Sequence, residues 1–531
     1  MGWEEEMHDA KLRHRPRLKG NWERDGMAKA FPKYLESLQR QLQQQQQQQY
    51  YQQNNHHGPT AAAGHAVTGA GSGAATTNPV AAMQLKRQLL QQQQQSFFVD
   101  DETSQEWHDK GLPALPVRLD AARLTKDEFC KYEVDCVPCV ITNIPNGYDG
   151  GQFVGKWPGA DKWQLSALAE DETLVDRRFK CGEDDDERTI RVKLRDFLEY
   201  LKHNRDDSPL YIFDSRFDDD RLANQILNDY RVPSYFSDDL FGLVSESRRP
   251  PYRWWLIGPK RSGTCVHIDP LATSAWNTLI EGKKRWVLFP PHLSKSVVKG
   301  SGLVHKNEDD EAVHYFSFIL PRIKRKATLM KGMPKYKGFS CFEFTQHAGE
   351  TVYVPHGWWH AVLNLTDTVA VTQNFCSPRN FDAVWLKTRS GRKRMAWKWL
   401  CALEKDYPEL AARARAMNAA DSFVMKYDPV EIERRERAEL EAKRRKKERK
   451  EAEAAQQSSS QNDNGSDDRS RPRSKSPDED RERMNCDDED ASNNSSSHKT
   501  PEDNDDDDDG DAMKVCRQDS DSPRSTVYSE I

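Results

Sequence analysis

Between residues 253 and 375 the chain passes through a series of short apolar runs rich in β-branched and aromatic residues. They are RWWLIG (253–258), CVHID (265–269), AWNTLIEG (275–282), KRWVLFP (284–290), ETVYVP (350–355) and TVAVTQNF (368–375), separated by Gly, Pro and Asp turns. Runs this short, bounded by turn residues, read as strands. A series of them must cover its own apolar faces. That predicts an antiparallel barrel or double-sheet jelly roll, so the expected fold class is mainly β with helical additions.

Composition changes sharply on either side. Residues 1–105 are Gln-rich, with uninterrupted runs at Gln43 to Gln49 and Gln91 to Gln95. Such sequence buries too little apolar surface to offset chain entropy, and it is expected to be largely disordered. Its flanks LESLQRQL (35–42) and MQLKRQLL (83–90) have helical spacing. Residues 106–240 read as a mixed helical and β part. There LTKDEFCKY (124–132) predicts a helix followed by the strand VPCVITNI (137–144). Residues 190–203 predict an amphipathic helix from Val192, Leu194, Phe197, Leu198 and Leu201, and PLYIFD (209–214) a strand. The barrel core is expected over 241–380, and C-terminal helices over 381–425, with Asn380 as a cap and Pro408 opening a helix. A highly charged helix follows over 426–455, and a disordered acidic, Ser- and Arg-rich tail over 456–531.

The net charge of −6 averages a basic run at 443–450 and an acidic run at 505–509, so local charge should set the partners. No stretch of about 18 apolar residues exists to cross a membrane. The acidic start MGWEEEMHDAK lacks a signal-peptide core, and Glu6 stands where myristoylation after Gly2 wants Ser or Thr. A soluble intracellular protein is expected. Of ten cysteines, only Cys136 and Cys139 form a CxxC. With no second pair to complete a zinc site, they read as reduced thiols.

Within CVHID, His267 and Asp269 are two residues apart, so on a strand both face one side. His360 lies 360 − 267 = 93 residues on, in VPHGWWH. Two histidines and a carboxylate form a facial triad that leaves adjacent positions open on a six-coordinate iron. An HxD pair alone more often marks an ordinary turn. Here Asn277, Lys284 and Thr372 follow at positions suited to an acidic cofactor: Lys284 for charge compensation, Thr372 for a hydrogen bond. His356 is a rival to His360 as the second imidazole.

Longer runs carry a resemblance. FKCGEDDD (179–186), DDSPLYIFD (206–214), VPSYFSDDLF (232–241), RRPPYRWW (248–255), GPKRSGTCVHIDPLATSAWNTLIEGKKRWVLFP (258–290), GETVYVPHGWWHAVLNL (349–365) and TQNF (372–375) resemble the Jumonji-C (JmjC) oxygenases of the cupin superfamily. Within these they are similar to a subgroup of lysyl hydroxylases and arginine demethylases, over roughly 106–415. The resemblance implies a double-stranded β-helix, with Fe(II) at His267, Asp269 and His360. It implies 2-oxoglutarate contacts from Thr264, Asn277, Lys284 and Thr372, with Tyr211 lining the same pocket, and O2 as co-substrate. That family carries a small residue at the position of His356. The implied reaction is C5 hydroxylation of lysines in Arg/Ser-rich splicing factors and histone tails, with demethylation of methyl-arginine as a second activity. The setting would be chromatin regulation and RNA splicing in the nucleus.

Acidic clusters at Asp184, Asp185 and Asp186 and at Asp238 and Asp239 could attract basic peptides. The run at 443–450 could serve nuclear import or RNA binding, and RSRPRSKSP (469–477) resembles an Arg/Ser segment with Lys475 as a target of the enzyme itself. A homo-oligomer is compatible with these readings. The alternatives are a non-catalytic RNA or chromatin scaffold on the same fold, and a cell-surface receptor in apoptotic-cell clearance, which an older name of the subgroup suggests.

Overall fold

The computed structural model describes residues 2–14, 26–55 and 115–461, apart from 185, 208, 306, 307, 309 and 310. The expectations for 83–90, 91–95, 469–477 and 505–509 lie outside the described residues.

Three strands of the larger sheet precede the predicted barrel in sequence: β1 (Val117–Asp120), β2 (Cys139–Thr142) and, after two small hairpins, β7 (Ile212–Asp214). The hairpins are β3 (Tyr148–Asp149) with β4 (Gln152–Phe153), and β5 (Arg178–Glu183) with β6 (Thr189–Lys193). The remaining strands are β8 (Arg253–Gly258), β9 (Gly263–His267), β10 (Ser274–Glu281), β11 (Lys283–Phe289), β12 (Phe342–His347), β13 (Glu350–Val354), β14 (Trp359–Asn364) and β15 (Thr368–Phe375).

Seven strands form one sheet in the order β1-β2-β13-β10-β15-β8-β7, and four form another in the order β12-β11-β14-β9. All pairings in the two sheets are antiparallel except the edge pair β1–β2, which is parallel. One apolar cluster joins Val140, Ala275, Val352 and Val354 of the first sheet to Trp286, Leu288, Phe342, Phe344 and Val362 of the second. The sheets therefore face each other across a shared interior, which is the predicted jelly roll. The barrel is wider than 241–380, because its large sheet borrows β1, β2 and β7.

The tight β10–β11 turn needs Gly282, whose φ is +92° and whose missing Cβ would lie 2.2 Å from the Asp367 carbonyl oxygen. The large sheet's outer face, with Trp255, Trp276, Tyr353 and Phe375, is covered by helices. One is Lys126–Val134, which Thr125 and Glu128 close with a capping box and which buries Phe129. Another is Leu194–His203, burying Leu194, Phe197, Leu198 and Leu201. It starts later than the 190–203 expected. Ile190 and Val192 alternate as buried residues of β6, so a period of two runs directly into a helical period at Leu194.

After the barrel come the helices Phe381–Gly391, Lys393–Asp406 and Pro408–Ala420, with Phe381, Trp385 and Trp399 packed together. Pro408 opens the last of these as expected. Asn380 does not cap the first with its side chain, which turns to Ser274 instead. Residues 422–461 belong to a separate unit. There the charged helix extends over Pro429–Gln461, longer than expected, and carries i,i+4 ion pairs such as Arg437–Glu433 and Arg449–Glu453.

The N-terminal region departs most from expectation, since Trp3–His14 and Gly26–Asn55 are helices. Met7 and Ala10 join the core outside the large sheet. Met27, Phe31 and Leu38 join Val287, Phe289, Ala361 and Leu363 on the outer face of the small sheet. The Asp207 carboxylate accepts hydrogen bonds from the Met27 and Ala28 amides at 2.7 and 3.3 Å, capping the second helix from 180 residues away. Replacing Phe31 with alanine should cost about 3 kcal/mol of docking energy. Hydrogen exchange should then show lost protection over 26–41, with β9–β15 still protected.

Candidate metal centre

β9 and β14 are neighbours, and their register sets His267 opposite His360. The strands approach closely because Gly263 has no side chain: a Cβ there would lie 2.0 Å from the Val362 carbonyl oxygen. Asp269 follows β9 by two residues. Its Oδ1 lies 3.8 Å from Nε2 of His267 and 3.8 Å from Nε2 of His360. One ligand atom from each of the three lies within 4.8 Å of the others, a spacing that fits a single ion; it is the only such cluster among the described residues.

Both rings are oriented from behind. His267 Nδ1 is 2.8 Å from the Cys265 carbonyl oxygen, and His360 Nδ1 is 3.1 Å from that of Trp358. Placing the proton on Nδ1 to donate to these carbonyls leaves the Nε2 lone pairs facing the centre, the arrangement of metal-bound histidines. Asp269 Oδ2 is buried without a hydrogen-bond partner, as suits a ligand oxygen. The residues present therefore fit a divalent metal with two nitrogen donors and one oxygen donor.

His356 stands apart. Its Nδ1 is 3.7 Å from Cys136 Sγ, its amide donates to Ser274 Oγ, and it is not in the cluster of three. The CxxC thiols do not converge: Cys139 is in the core outside the large sheet, whereas Cys136 packs against the interior cluster.

The remaining residues singled out in the sequence line the same interior. Along β11, Val287 and Phe289 face outward while Trp286 and Leu288 face inward, so Lys284 faces inward. Likewise Trp276 faces outward on β10, as do Val369 and Val371 on β15, so Asn277 and Thr372 face inward. These two are direct cross-strand partners. Thr264 is paired with Val362 across β9 and β14, and its hydroxyl is buried without a partner, as is Asn277 Oδ1. Thr372 Oγ1 donates to the Trp276 carbonyl at 2.8 Å, so the hydroxyl must rotate to donate to a ligand.

Lys284 is 1% exposed and, among the described residues, has no hydrogen-bond or ion-pair partner. Its strand neighbours Gln346 and Asn364 are neutral. Burial alone pushes its ammonium down to about 7. A cation so placed calls for an anion from outside the chain.

Two further residues were not singled out in the sequence. Asn364 lies opposite Lys284, meets Tyr211 over Gly258, and donates to Ser262 Oγ at 2.8 Å. Gln346 joins the sheets, accepting from Trp286 Nε1 at 2.8 Å and donating to the Asn277 carbonyl at 2.9 Å. Both are polar residues on inward positions of otherwise apolar strands, and that alternation is the pattern which could have flagged them. The acidic clusters are mostly engaged. Asp239 pairs with Arg249 and accepts from the Phe241 and Cys376 amides, Asp238 pairs with Lys126, and Asp184 accepts from the Asp186 and Arg188 amides.

The family model for the JmjC domain, described as a hydroxylase, matches residues 254–375, which hold β8 to β15 and the three-residue cluster. A bifunctional arginine demethylase and lysyl-hydroxylase of Caenorhabditis elegans is 40% identical over 295 residues, 55% of this chain and 69% of that protein. The chain belongs to the JmjC hydroxylases. Other JmjC relatives include an Arabidopsis thaliana arginine-specific demethylase, 32% identical over 60% of this chain and 62% of its own length. A human 2-oxoglutarate and iron-dependent oxygenase is 25% identical over 51% of this chain and 62% of its own.

In this JmjC enzyme Lys284 acts against stability. Its folded value near 7 lies below the unfolded value of about 10.4, so between those values the unfolded chain binds the extra proton and stability rises with pH. Below about 7 the whole penalty remains. Lys284→Met should therefore stabilise the ligand-free protein at pH 7 by a few kcal/mol, measured by denaturant unfolding, with the gain vanishing towards pH 10.

Proposed function

We propose that this JmjC enzyme is an Fe(II)- and 2-oxoglutarate-dependent oxygenase that hydroxylates lysine side chains, at C5, in basic Arg/Ser-rich proteins and histone tails. The observation that carries the cofactor reading is the uncompensated, buried Lys284 in the same two-sheet interior as the His267, Asp269 and His360 cluster. A metal alone does not explain a buried cation, whereas a metal-binding dicarboxylate does: one end is ligated, and the other needs a positive charge.

In this reading His267, Asp269 and His360 hold the iron, and Lys284 neutralises the distal carboxylate of 2-oxoglutarate. Thr372 turns from the Trp276 carbonyl to donate to the same group, and Thr264, Asn277 and Tyr211 line the remainder. Iron and 2-oxoglutarate, when bound, supply with O2 the oxidant that converts a C–H bond to C–OH, releasing succinate and carbon dioxide. The chain's own part is to fix orientation and exclude water: Trp286 packs its ring on His360 at 6.2 Å, and the apolar cluster closes the interior behind it.

Lysine as substrate is supported by the Caenorhabditis elegans relative, named a lysyl-hydroxylase. Methyl-arginine demethylation is a second reading, supported by that relative and the Arabidopsis thaliana one. Both outcomes begin with hydroxylation of a C–H bond, so one centre can serve both. A nuclear role in splicing or chromatin regulation follows from these substrates and from the exposed basic run at 443–450. No helix among the described residues is long and apolar enough to cross a membrane.

Incubating an Arg/Ser-rich peptide with enzyme, Fe(II) and 2-oxoglutarate should add about 16 Da, one oxygen atom, to lysine in mass spectrometry. His267→Ala should abolish this. Formaldehyde release from a methyl-arginine peptide establishes the second activity, and no 2-oxoglutarate turnover with any basic peptide overturns the proposal. Binding itself should depend on pH. Lys284 must be protonated in the complex but loses its proton near pH 7 in the free enzyme, so the Kd for 2-oxoglutarate, by calorimetry, should rise above pH 7 by up to about tenfold per unit.

A further inference from the structure

Two turns flank the metal ligands. Asp269 leads into Pro270–Ala272, where Leu271 and Ala272 both have φ of 55°, two successive non-glycine residues in the left-handed region directly after a ligand. His360 follows the turn 355–358, in which Gly357 has φ of +76°. Backbone of this kind relaxes unless its surroundings hold it. Some of the hold is local: the Thr273 amide and hydroxyl both donate to the Pro270 carbonyl, at 3.2 and 2.9 Å.

The tie between the two turns is Ser274, the first residue of β10, which is 1% exposed. Its Oγ accepts the His356 amide at 3.1 Å and the Asn380 side-chain amide at 2.9 Å. A serine hydroxyl has one donor and two acceptor sites, so both acceptor sites are used. The partners lie in the turn before His360 and in the segment between β15 and helix Phe381–Gly391. That helix closes the arrangement from outside, since a Cβ on Gly391 would lie 3.8 Å from Leu271 Cδ2.

We infer that the Ser274 hydroxyl is the joint that sets the separation of the Asp269 turn from the His360 turn, a positioning residue for the metal and not a ligand. It anchors the chain five residues after Asp269 and four before His360. Removing it orphans the buried His356 amide in one turn and unties the strand that leads out of the other, so the strained turn is free to relax, which spreads the ligand atoms. The three-helix C-terminal segment thereby acts on metal affinity through Asn380, without touching the ion. The inference rests on the metal reading above.

The test is Co(II) binding by the full chain, followed by tryptophan quenching, with melting of the metal-free protein recorded in parallel. The control is Thr278→Val. Thr278 and Thr351 share a buried hydroxyl contact of 2.7 Å between the same strands β10 and β13, away from both turns. Ser274→Ala should weaken Co(II) binding about 10–100-fold, the usual loss when a group that orients ligands is removed. Thr278→Val should keep the wild-type Kd even where its Tm falls as far. If Ser274→Ala does not fold, Asn380→Ala removes one tie and should raise the Kd at least about threefold. A folded Ser274→Ala or Asn380→Ala with wild-type Co(II) affinity overturns the inference, as does an equal loss in Thr278→Val. Wild-type protein that binds no Co(II), or binds it as well after Asp269→Ala, overturns the metal reading itself.

Discussion

The antiparallel contact of β14 with β9 holds the centre together. It sets two imidazoles 93 residues apart opposite each other, and it does so only because Gly263 lets one backbone settle against the other. The other edge of β14 pairs with β11, and that register sets Lys284 opposite Asn364. One strand therefore indexes both the metal ligands and the cation. A slip of one residue would turn His360 and Asn364 outward and Ala361 and Leu363 inward, so the site cannot be lost without also losing the core on both faces of the small sheet.

Electrostatics and packing conflict inside this frame. The interior is apolar enough to drive the sheets together, and for that reason it is a poor place for a lysine. The fold accepts the conflict at Lys284 and at the unpaired oxygens of Thr264, Asn277, Asn364 and Asp269, while Gln346 in the same layer is satisfied. Gln346 uses its carbonyl and its amide to join Trp286, the Asn277 backbone and the Glu350 backbone. Unsatisfied groups gathered where a ligand belongs, amid satisfied ones, mark a site whose completion lies outside the chain.

What could be read from the sequence was what depends on short-range period. The strands from 253 to 375 announce themselves by length and turn residues, and His267 and Asp269 by their spacing of two. The facing of Lys284, Asn277 and Thr372 follows from alternation once the strands are placed. What could not be read depends on partners distant in sequence. The parallel β1–β2 edge, the engagement of Asp239 with Arg249 and the Cys376 amide, and the capping of the helix Gly26–Asn55 by Asp207 are all of this kind. The stretch 190–203 failed for another reason: strand β6 meets its helix with no turn residue between them, so two periods read as one.

The helix Gly26–Asn55 is held at its first half, by Asp207 and by Met27, Phe31 and Leu38, and the Gln43 to Gln49 run lies in its second half. An α-helix advances about 1.5 Å and turns about 100° per residue. Adding or removing glutamines beyond the anchor would thus leave the catalytic sheets untouched while moving the far end of this helix along and around a fixed axis. A repeat tract placed there works as a ruler: its length would set how far from its anchor, and in which direction, the helix ends.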